Sequence, residues 1–386
     1  MSRYTCSMTF IEHTVQKPQF GAVDWPNGAT PAQVRRVLAG MAGYAPTPTR
    51  NMPALANRFG IESLALKDET ARFGLGAFKG VGAFYAVAMA VFDEVERCTG
   101  TRPLIKHFDI ATISDITATM TLTCATAGNH GAAVAAAAKM LGCQAVIYVP
   151  RDAAPSRIAI IAAQGARVVQ LEDNYDACVE ACSTHAKENG WHIVSDTSWS
   201  GYERVPKHIM QGYSLIADEA AAALDRPPTH IFLQGGVGSF AGAIAGFARA
   251  DARLKDARII IVEPEHYACL QASAEIGAAV ELTGEALTQL SPLACLRPSD
   301  LGWQVLDGAA DGFLSVADAP ALEAMRVLAA PQSGDPQIIA GAAGCGGLAA
   351  LFAAEKSSDL RAALDLDTRS RVLAFITEGR NDDRVS

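Results

Sequence analysis

The chain has 386 residues, with 32 lysines and arginines against 41 aspartates and glutamates, a net charge of −9, 50% hydrophobic residues and 19% charged ones. That balance is too apolar for a disordered chain and too acidic for a generally basic nucleic-acid surface, and the length allows roughly two to three domains. Residues 227–247 and 336–354 lack Asp, Glu, Lys and Arg, but clustered glycines and Gln234 or Gln337 break both stretches. Neither is the run of about 20 predominantly apolar residues that a membrane-crossing helix needs. The opening MSRYTCSMTFIEH lacks the apolar core and cleavage site of a signal peptide, so a cytoplasmic location is expected, with no membrane or nucleic-acid partner.

In chain order, Glu62–Asp68 alternates as a strand and is followed by RFGLGAFKG and an apolar helical run, Ala83–Val91. A Thr-rich strand, Met120–Ala125, leads through AGNHG into an Ala-rich helix, Ala132–Leu141, and then into the strand Gln144–Val149. A helix over Ser156–Gln164, the strand Ala166–Gln170, a helix over Asp176–Glu188 and the strand His192–Val194 continue the alternation. After a Trp/Gly/Tyr-rich connection come a helix from Lys207 to Leu224, the strand His230–Leu233, the loop GGVGS, the helix Phe240–Ala250 and the strand Ala257–Glu263. Strict strand–helix alternation marks an α/β fold with parallel sheets. The expected organisation is a large domain from residues 1–85 and 206–386 with a smaller α/β domain, 86–205, inserted into it.

The nine cysteines are odd in number and scattered without CxxC pairs, which fits reduced, mostly buried thiols. Cys178, Cys182 and His185 share a helix face, but no fourth ligand lies nearby, so they read as helix packing and no metal is expected.

Three loops carry chemistry. Gln234-Gly235-Gly236-Val237-Gly238-Ser239 joins a strand to a helix, a geometry that points backbone N–H groups and the positive helix end at an anion. It lacks the Gly-Lys-Ser/Thr of a P-loop and meets the GxGxxG pattern only in its relaxed form, through Ala241, so a phosphate site, a dinucleotide site and a tight turn all stand open. Lys79, in Arg72-Phe73-Gly74-Leu75-Gly76-Ala77-Phe78-Lys79-Gly80, falls where a helix begins, a place that lowers a lysine's pKa toward nucleophilic use. By itself it also reads as a surface lysine. The third loop, Ala127-Gly128-Asn129-His130-Gly131, supplies the company that changes this: a reactive lysine, a phosphate cradle and a polar side chain for a ring hydroxyl are together what pyridoxal 5′-phosphate requires.

At these residues the chain resembles the fold-type II pyridoxal-phosphate (PLP) enzymes, two parallel-sheet α/β domains of the tryptophan synthase β-like kind with the cofactor between them. Within them it most resembles the diaminopropionate ammonia-lyase family. The resemblance runs in fixed order through RFGLGAFKG, GNHG, AVIYVP, DNYD, SDTSWSGYE, IMQGY, GGVGSFAGA, IIVEP, LGW, MRVL, GDPQI and ITEG, from about residue 40 to 382. It implies that Lys79 makes the covalent link to the cofactor, that Asn129 bonds its 3′ oxygen, that Gly236, Val237, Gly238 and Ser239 bind its phosphate, and that Thr377 offers a hydroxyl to the pyridine nitrogen. Lys79 and Asp196 are the implied catalytic pair. Ala127, Gly128, His130 and Asp196 are the implied substrate neighbours, with His130 open to a bracing role instead. A homodimer is what such enzymes commonly form.

Two departures stand out. The family's aspartate directly before GNHG, read as the base acting on the D-isomer, is Ala127 here, and its Ser-Gly-Glu-Ser-Gly string is Gly341-Ala342-Ala343-Gly344 with its flanking Ala340. Asp196 is kept. The expectation is therefore a PLP-dependent β-elimination of a small amino acid, most readily L-2,3-diaminopropionate to pyruvate and ammonia, with selectivity for the L-isomer. A lyase for another β-substituted, β-hydroxy or N-substituted amino acid, a β-replacement synthase and a non-catalytic binding descendant are the other readings. Asp173 and Asp176 read as helix-start residues, and Trp199 and Tyr202 as either a pocket mouth or packing.

Overall fold

The computed structural model describes residues 8–13, 30–103, 110–126, 128–284 and 286–380. Its strands are β1 (Thr9–Glu12), β2 (Thr49–Asn51), β3 (Ser63–Asp68), β4 (Thr121–Ala125), β5 (Gln144–Val149), β6 (Arg167–Gln170), β7 (His192–Ile193), β8 (His230–Gln234), β9 (Arg258–Pro264), β10 (Gly312–Val316) and β11 (Arg371–Ile376). They form two sheets in two compact units. Among the described residues the first unit holds 8–13, 46–71 and 216–380, and the second 30–45 and 72–215.

In the first unit the strand order is β1-β10-β9-β8-β11-β3-β2. The five inner strands are parallel, while β1 on β10 and β2 on β3 are antiparallel edges. Every residue of β8 is buried, as are all but the first of β9 and β11, which is the pattern of a sheet covered on both faces. The same burial overrides the alternation read in β3: Leu64 to Asp68 are all buried, Lys67 included. A buried ammonium needs partners. Lys67 Nζ has them, donating to the Thr47 carbonyl at 2.6 Å and to Glu219 Oε2 at 2.7 Å.

The second unit has a parallel sheet of order β6-β5-β4-β7. The inner block expected at 86–205 lies inside this unit, which is wider and includes residues 30–45, 72–85 and 206–215. The reason is the long helix Lys79–Thr99, which starts four residues before the expected Ala83 and packs on both the helix Asn129–Met140 and the helix Pro31–Ala39. Ahead of it, Phe73 (φ +53°), Gly74 (φ +69°) and Gly76 (φ +76°) turn the chain through left-handed conformations. For Phe73 that backbone is strained. Its ring stacks on Phe84 at 4.2 Å between centroids, which holds the turn in place.

Cys178 and Cys182 pack in a core with Val146 and Tyr148, and His185 Nδ1 lies 2.6 Å from the Tyr148 hydroxyl. Among the described residues no group of three or more His, Cys, Asp or Glu could hold a metal ion, and no helix is long and apolar enough to cross a membrane.

The start of the helix Lys79–Thr99 is fixed by a glycine-to-glycine contact with the helix Arg204–Ala222. A Cβ on Gly212 would stand 2.7 Å from both Gly82 Cα and the Val81 carbonyl oxygen, and a Cβ on Gly82 would stand 2.6 Å from Tyr213 Cε1. The obstructing atoms at Gly212 are backbone and cannot swing aside. Gly212→Ala is expected to lower stability by about 1–3 kcal/mol, seen as a reduced melting temperature of the purified protein.

Candidate active site

In the second unit, β4 and β7 are parallel neighbours, and the residues leaving their carboxyl ends are Gly128-Asn129-His130 and Val194-Ser195-Asp196. Ligands in open parallel sheets gather at that end. Lys79, the first residue of its helix, meets them there. Its Nζ lies 2.5 Å from Asp196 Oδ2 and 4.9 Å from the centre of the Phe78 ring. Tyr213, wholly buried, packs its ring 4.9 Å from that of Phe78.

His130 stands against the same carboxylate. Its Nε2 lies 2.8 Å from the Val194 carbonyl, which can only accept, so Nε2 carries the hydrogen and Nδ1 a lone pair. Nδ1 is buried without a hydrogen-bond partner, 3.8 Å from Asp196 Oδ2. Burial, aided by the Lys79 charge, lowers the pKa of His130 and leaves the ring neutral near pH 7. Burial would by itself raise the Asp196 carboxyl, but the Lys79 charge and the Lys79 hydrogen bond hold it well below the usual carboxylate range. With the imidazole neutral, the ammonium supplies that hold. Lys79, His130 and Asp196 are thus brought together, with Asn129 beside His130 at the start of the helix Asn129–Met140. Ala127 lies outside the described residues.

In the first unit, β8 and β11 are parallel neighbours that end in the glycine loop and in Thr377. Gly236 (φ +62°) and Gly238 (φ +91°) turn the loop into the helix Ser239–Ala250, where the N–H groups of a first helical turn lack intrahelical partners. Gln234, just before the loop, is buried and its Nε2 donates to the carbonyls of Gly344 and Phe375, at 3.1 and 3.2 Å, and to Thr377 Oγ1 at 2.8 Å. The two carbonyls fix which end of the amide points there. Thr377 Oγ1 therefore accepts, and its own hydrogen is left for another acceptor.

Behind the loop lies Glu263, wholly buried, its carboxyl accepting the N–H groups of Leu270 at 2.9 Å and Gln271 at 2.8 Å. A Cβ on Gly235 would stand 2.6 Å from Glu263 Cγ, so only glycine fits there. Burial pushes the Glu263 carboxyl up to about 8 against the two N–H bonds, which makes it mostly uncharged near neutral pH. The substituted string of the sequence also lies in this unit: Gly344 packs against the Glu378 backbone, its added Cβ 2.5 Å from that carbonyl oxygen.

Sequence reasoning missed Tyr213 and Glu263, and it quoted Gln234 with its loop without giving it a role. Tyr213 and Glu263 stand inside the quoted strings IMQGY and IIVEP, but nothing in their spacing sets them apart from core residues.

The family model described as pyridoxal-phosphate dependent enzyme matches residues 41–378. Diaminopropionate ammonia-lyase of Escherichia coli (strain K12) is 39% identical over 354 residues, which span 89% of this chain and 86% of that protein. The diaminopropionate ammonia-lyase of Salmonella typhimurium (strain LT2) is 36% identical over 363 residues, 92% of this chain and 90% of that one. The crystal structure of the E. coli enzyme in complex with D-serine matches with a TM-score of 0.87 at 35% identity, covering 97% of this chain and 95% of that chain. The chain belongs to the fold-type II pyridoxal-phosphate dependent enzymes, and within them to the family of the diaminopropionate ammonia-lyases. Its cofactor is pyridoxal phosphate and its class of activity that of an ammonia-lyase.

The residues present fit that cofactor. Two left-handed glycines and a helix start make a cradle of N–H groups, the neighbouring Glu263 adds little negative charge to oppose a phosphate, and the Thr377 hydroxyl keeps a hydrogen for a ring nitrogen.

Glu263 also sets a pH dependence. A carboxyl whose pKa is raised from 4.5 to about 8 by folding binds a proton more tightly in the folded state, so its contribution is full below the unfolded pKa and is lost as pH rises toward 8. Melting temperatures measured from pH 5 to pH 8 are expected to fall more steeply in the unaltered protein than in Glu263→Gln, which has no proton to lose. Equal slopes would place the proton elsewhere.

Proposed function

We propose that this protein eliminates the β-amino group of 2,3-diaminopropionate as ammonia, that the 2-aminoacrylate left behind is hydrolysed by one water to pyruvate and a second ammonia, and that the enzyme acts on the L-isomer. The observation that carries the reading is the Lys79–Asp196 pair at the head of a helix, with one neutral histidine beside it. The activity of relatives that span nearly the whole chain supports the substrate. The presence of Ala127 in place of an acidic residue before Gly128-Asn129-His130-Gly131 supports the selectivity.

Lys79 is the residue that would hold the cofactor covalently, Asn129 would bond its ring oxygen, Gly236 to Ser239 would hold its phosphate by backbone N–H groups, and Thr377 would donate to its ring nitrogen. When bound, pyridoxal phosphate supplies an electron sink conjugated with the substrate's α-carbon, which acidifies the Cα–H bond. Lys79, once its amine is free, can remove that proton. Asp196, ionised and 2.5 Å away, holds the ammonium that results and keeps the charged nitrogen where the proton can be passed on. The leaving β-amine needs a proton to depart as ammonia, and the Lys79 ammonium is the proton source within reach of the same carboxylate. With the Asp196 carboxylate as its acidic partner, the pair serves one face of the substrate.

The test is an absorbance spectrum of the purified protein followed by L- and D-2,3-diaminopropionate with pyruvate and ammonia assayed. A visible band absent from Lys79→Ala, and product from the L-isomer alone, are the expected results. Ala127→Asp is expected to add turnover of the D-isomer. A native rate on the D-isomer equal to that on the L-isomer would overturn the selectivity, and a band with no product from either isomer would overturn the substrate.

A further inference from the structure

Asp196 is aimed from a segment that the sheet barely holds. Strand β7 is two residues long, and its pairing with β4 closes with the Val194 N–H donating to the Thr123 carbonyl at 2.8 Å. Beyond that point side chains take over. The Tyr202 hydroxyl accepts from the Ser195 N–H at 3.0 Å and donates to the Ile193 carbonyl at 2.8 Å, while His130 Nε2 holds the carbonyl of Val194 between them. One phenol oxygen thus spans the residues on either side of Val194, directly before Asp196.

The phenol itself is held. Trp199 stacks on its ring, 4.2 Å between centroids and 17° between planes, and the two residues share a short bridge in which the Tyr202 N–H donates to the Trp199 carbonyl at 2.8 Å. Burial raises the phenol's pKa above its ordinary value, so the hydroxyl keeps its proton and remains able both to donate and to accept.

We propose that Tyr202 is a positioning residue for Asp196, acting by fixing the backbone of Ile193 and Ser195. The proposal rests on the reading of Asp196 given above. It assigns the Trp199–Tyr202 pair to the aim of the carboxylate, where the sequence left a pocket mouth and simple packing both open. Catalytic geometry is sensitive at this scale, since a misplacement of about 1 Å costs up to about a hundredfold in rate.

Tyr202→Phe keeps the ring and its stacking and removes only the hydroxyl. With the holoenzyme and L-2,3-diaminopropionate, kcat is expected to fall about tenfold with KM unchanged within about twofold. The Ser195 amide, protected in the unaltered protein, is expected to exchange its hydrogen with solvent faster in the variant. A double-mutant cycle separates positioning from plain structure: Tyr202→Phe should slow the enzyme in the presence of Asp196 and have no further effect on Asp196→Asn. An unchanged kcat, or the same proportional loss in the Asp196→Asn background, would overturn the proposal while leaving the role of Asp196 intact. Asp196→Asn at the unaltered rate would be a failure of the earlier reading. Fast exchange of the Ser195 amide in the unaltered protein would overturn the clamp with no variant required.

Discussion

An ammonium and a carboxylate 2.5 Å apart are the constraint around which the second unit is arranged. The pair is worth having only if both ends are stationary, because charges free to move are screened by water and gain little. Each end is stationary for its own reason. The lysine opens a helix pinned by two glycines that let a second helix approach to backbone contact, and the turn before it is locked by the stacking of Phe73 on Phe84. The aspartate ends a segment whose backbone groups are engaged one after another by side chains.

On the proposed reading the first unit has a different task, to receive an anion without a single lysine or arginine between Gln234 and Phe247. Backbone N–H groups supply the positive end, and glycines at φ +62° and φ +91° let them converge. The Glu263 carboxyl beside the loop is buried and mostly protonated, so it supports the loop mechanically through a neighbouring helix start while adding little charge of its own. The Gln234 amide fixes the Thr377 hydroxyl as an acceptor on one side, which leaves its hydrogen available to a group on the other.

Much of this was legible in the sequence because parallel strands and glycine loops announce themselves through hydrophobic runs and punctuation. Strands β4, β5 and β9 stand within a residue of their expected limits. Lys79, Asn129, Gly236 and Thr377 could be singled out because each belongs to a string whose order is specific to the PLP enzymes. The family and cofactor follow from those strings. What could not be read was whatever depends on burial. Lys67 reads as an outward residue on an alternating strand until the sheet is seen to be covered on both faces. Glu263 reads simply as the last residue of a strand, yet its buried surroundings change its charge. The second unit extends beyond 86–205 for a similar reason, since the helix Lys79–Thr99 packs on helices of that unit.

Tyr202 carries a lesson about where such a protein is free to vary. Its hydroxyl bonds the main chain of Ile193 and Ser195, and His130 Nε2 bonds that of Val194. Main-chain groups are the same whatever side chain hangs from them. Isoleucine and valine at 193 and 194 are therefore exchangeable as far as these grips are concerned, Ser195 less so because its hydroxyl also bonds the main chain of Thr197, and the burden passes to Tyr202 and His130. The segment that delivers the acid is in this sense anonymous, and its identity is written in the residues that grip it.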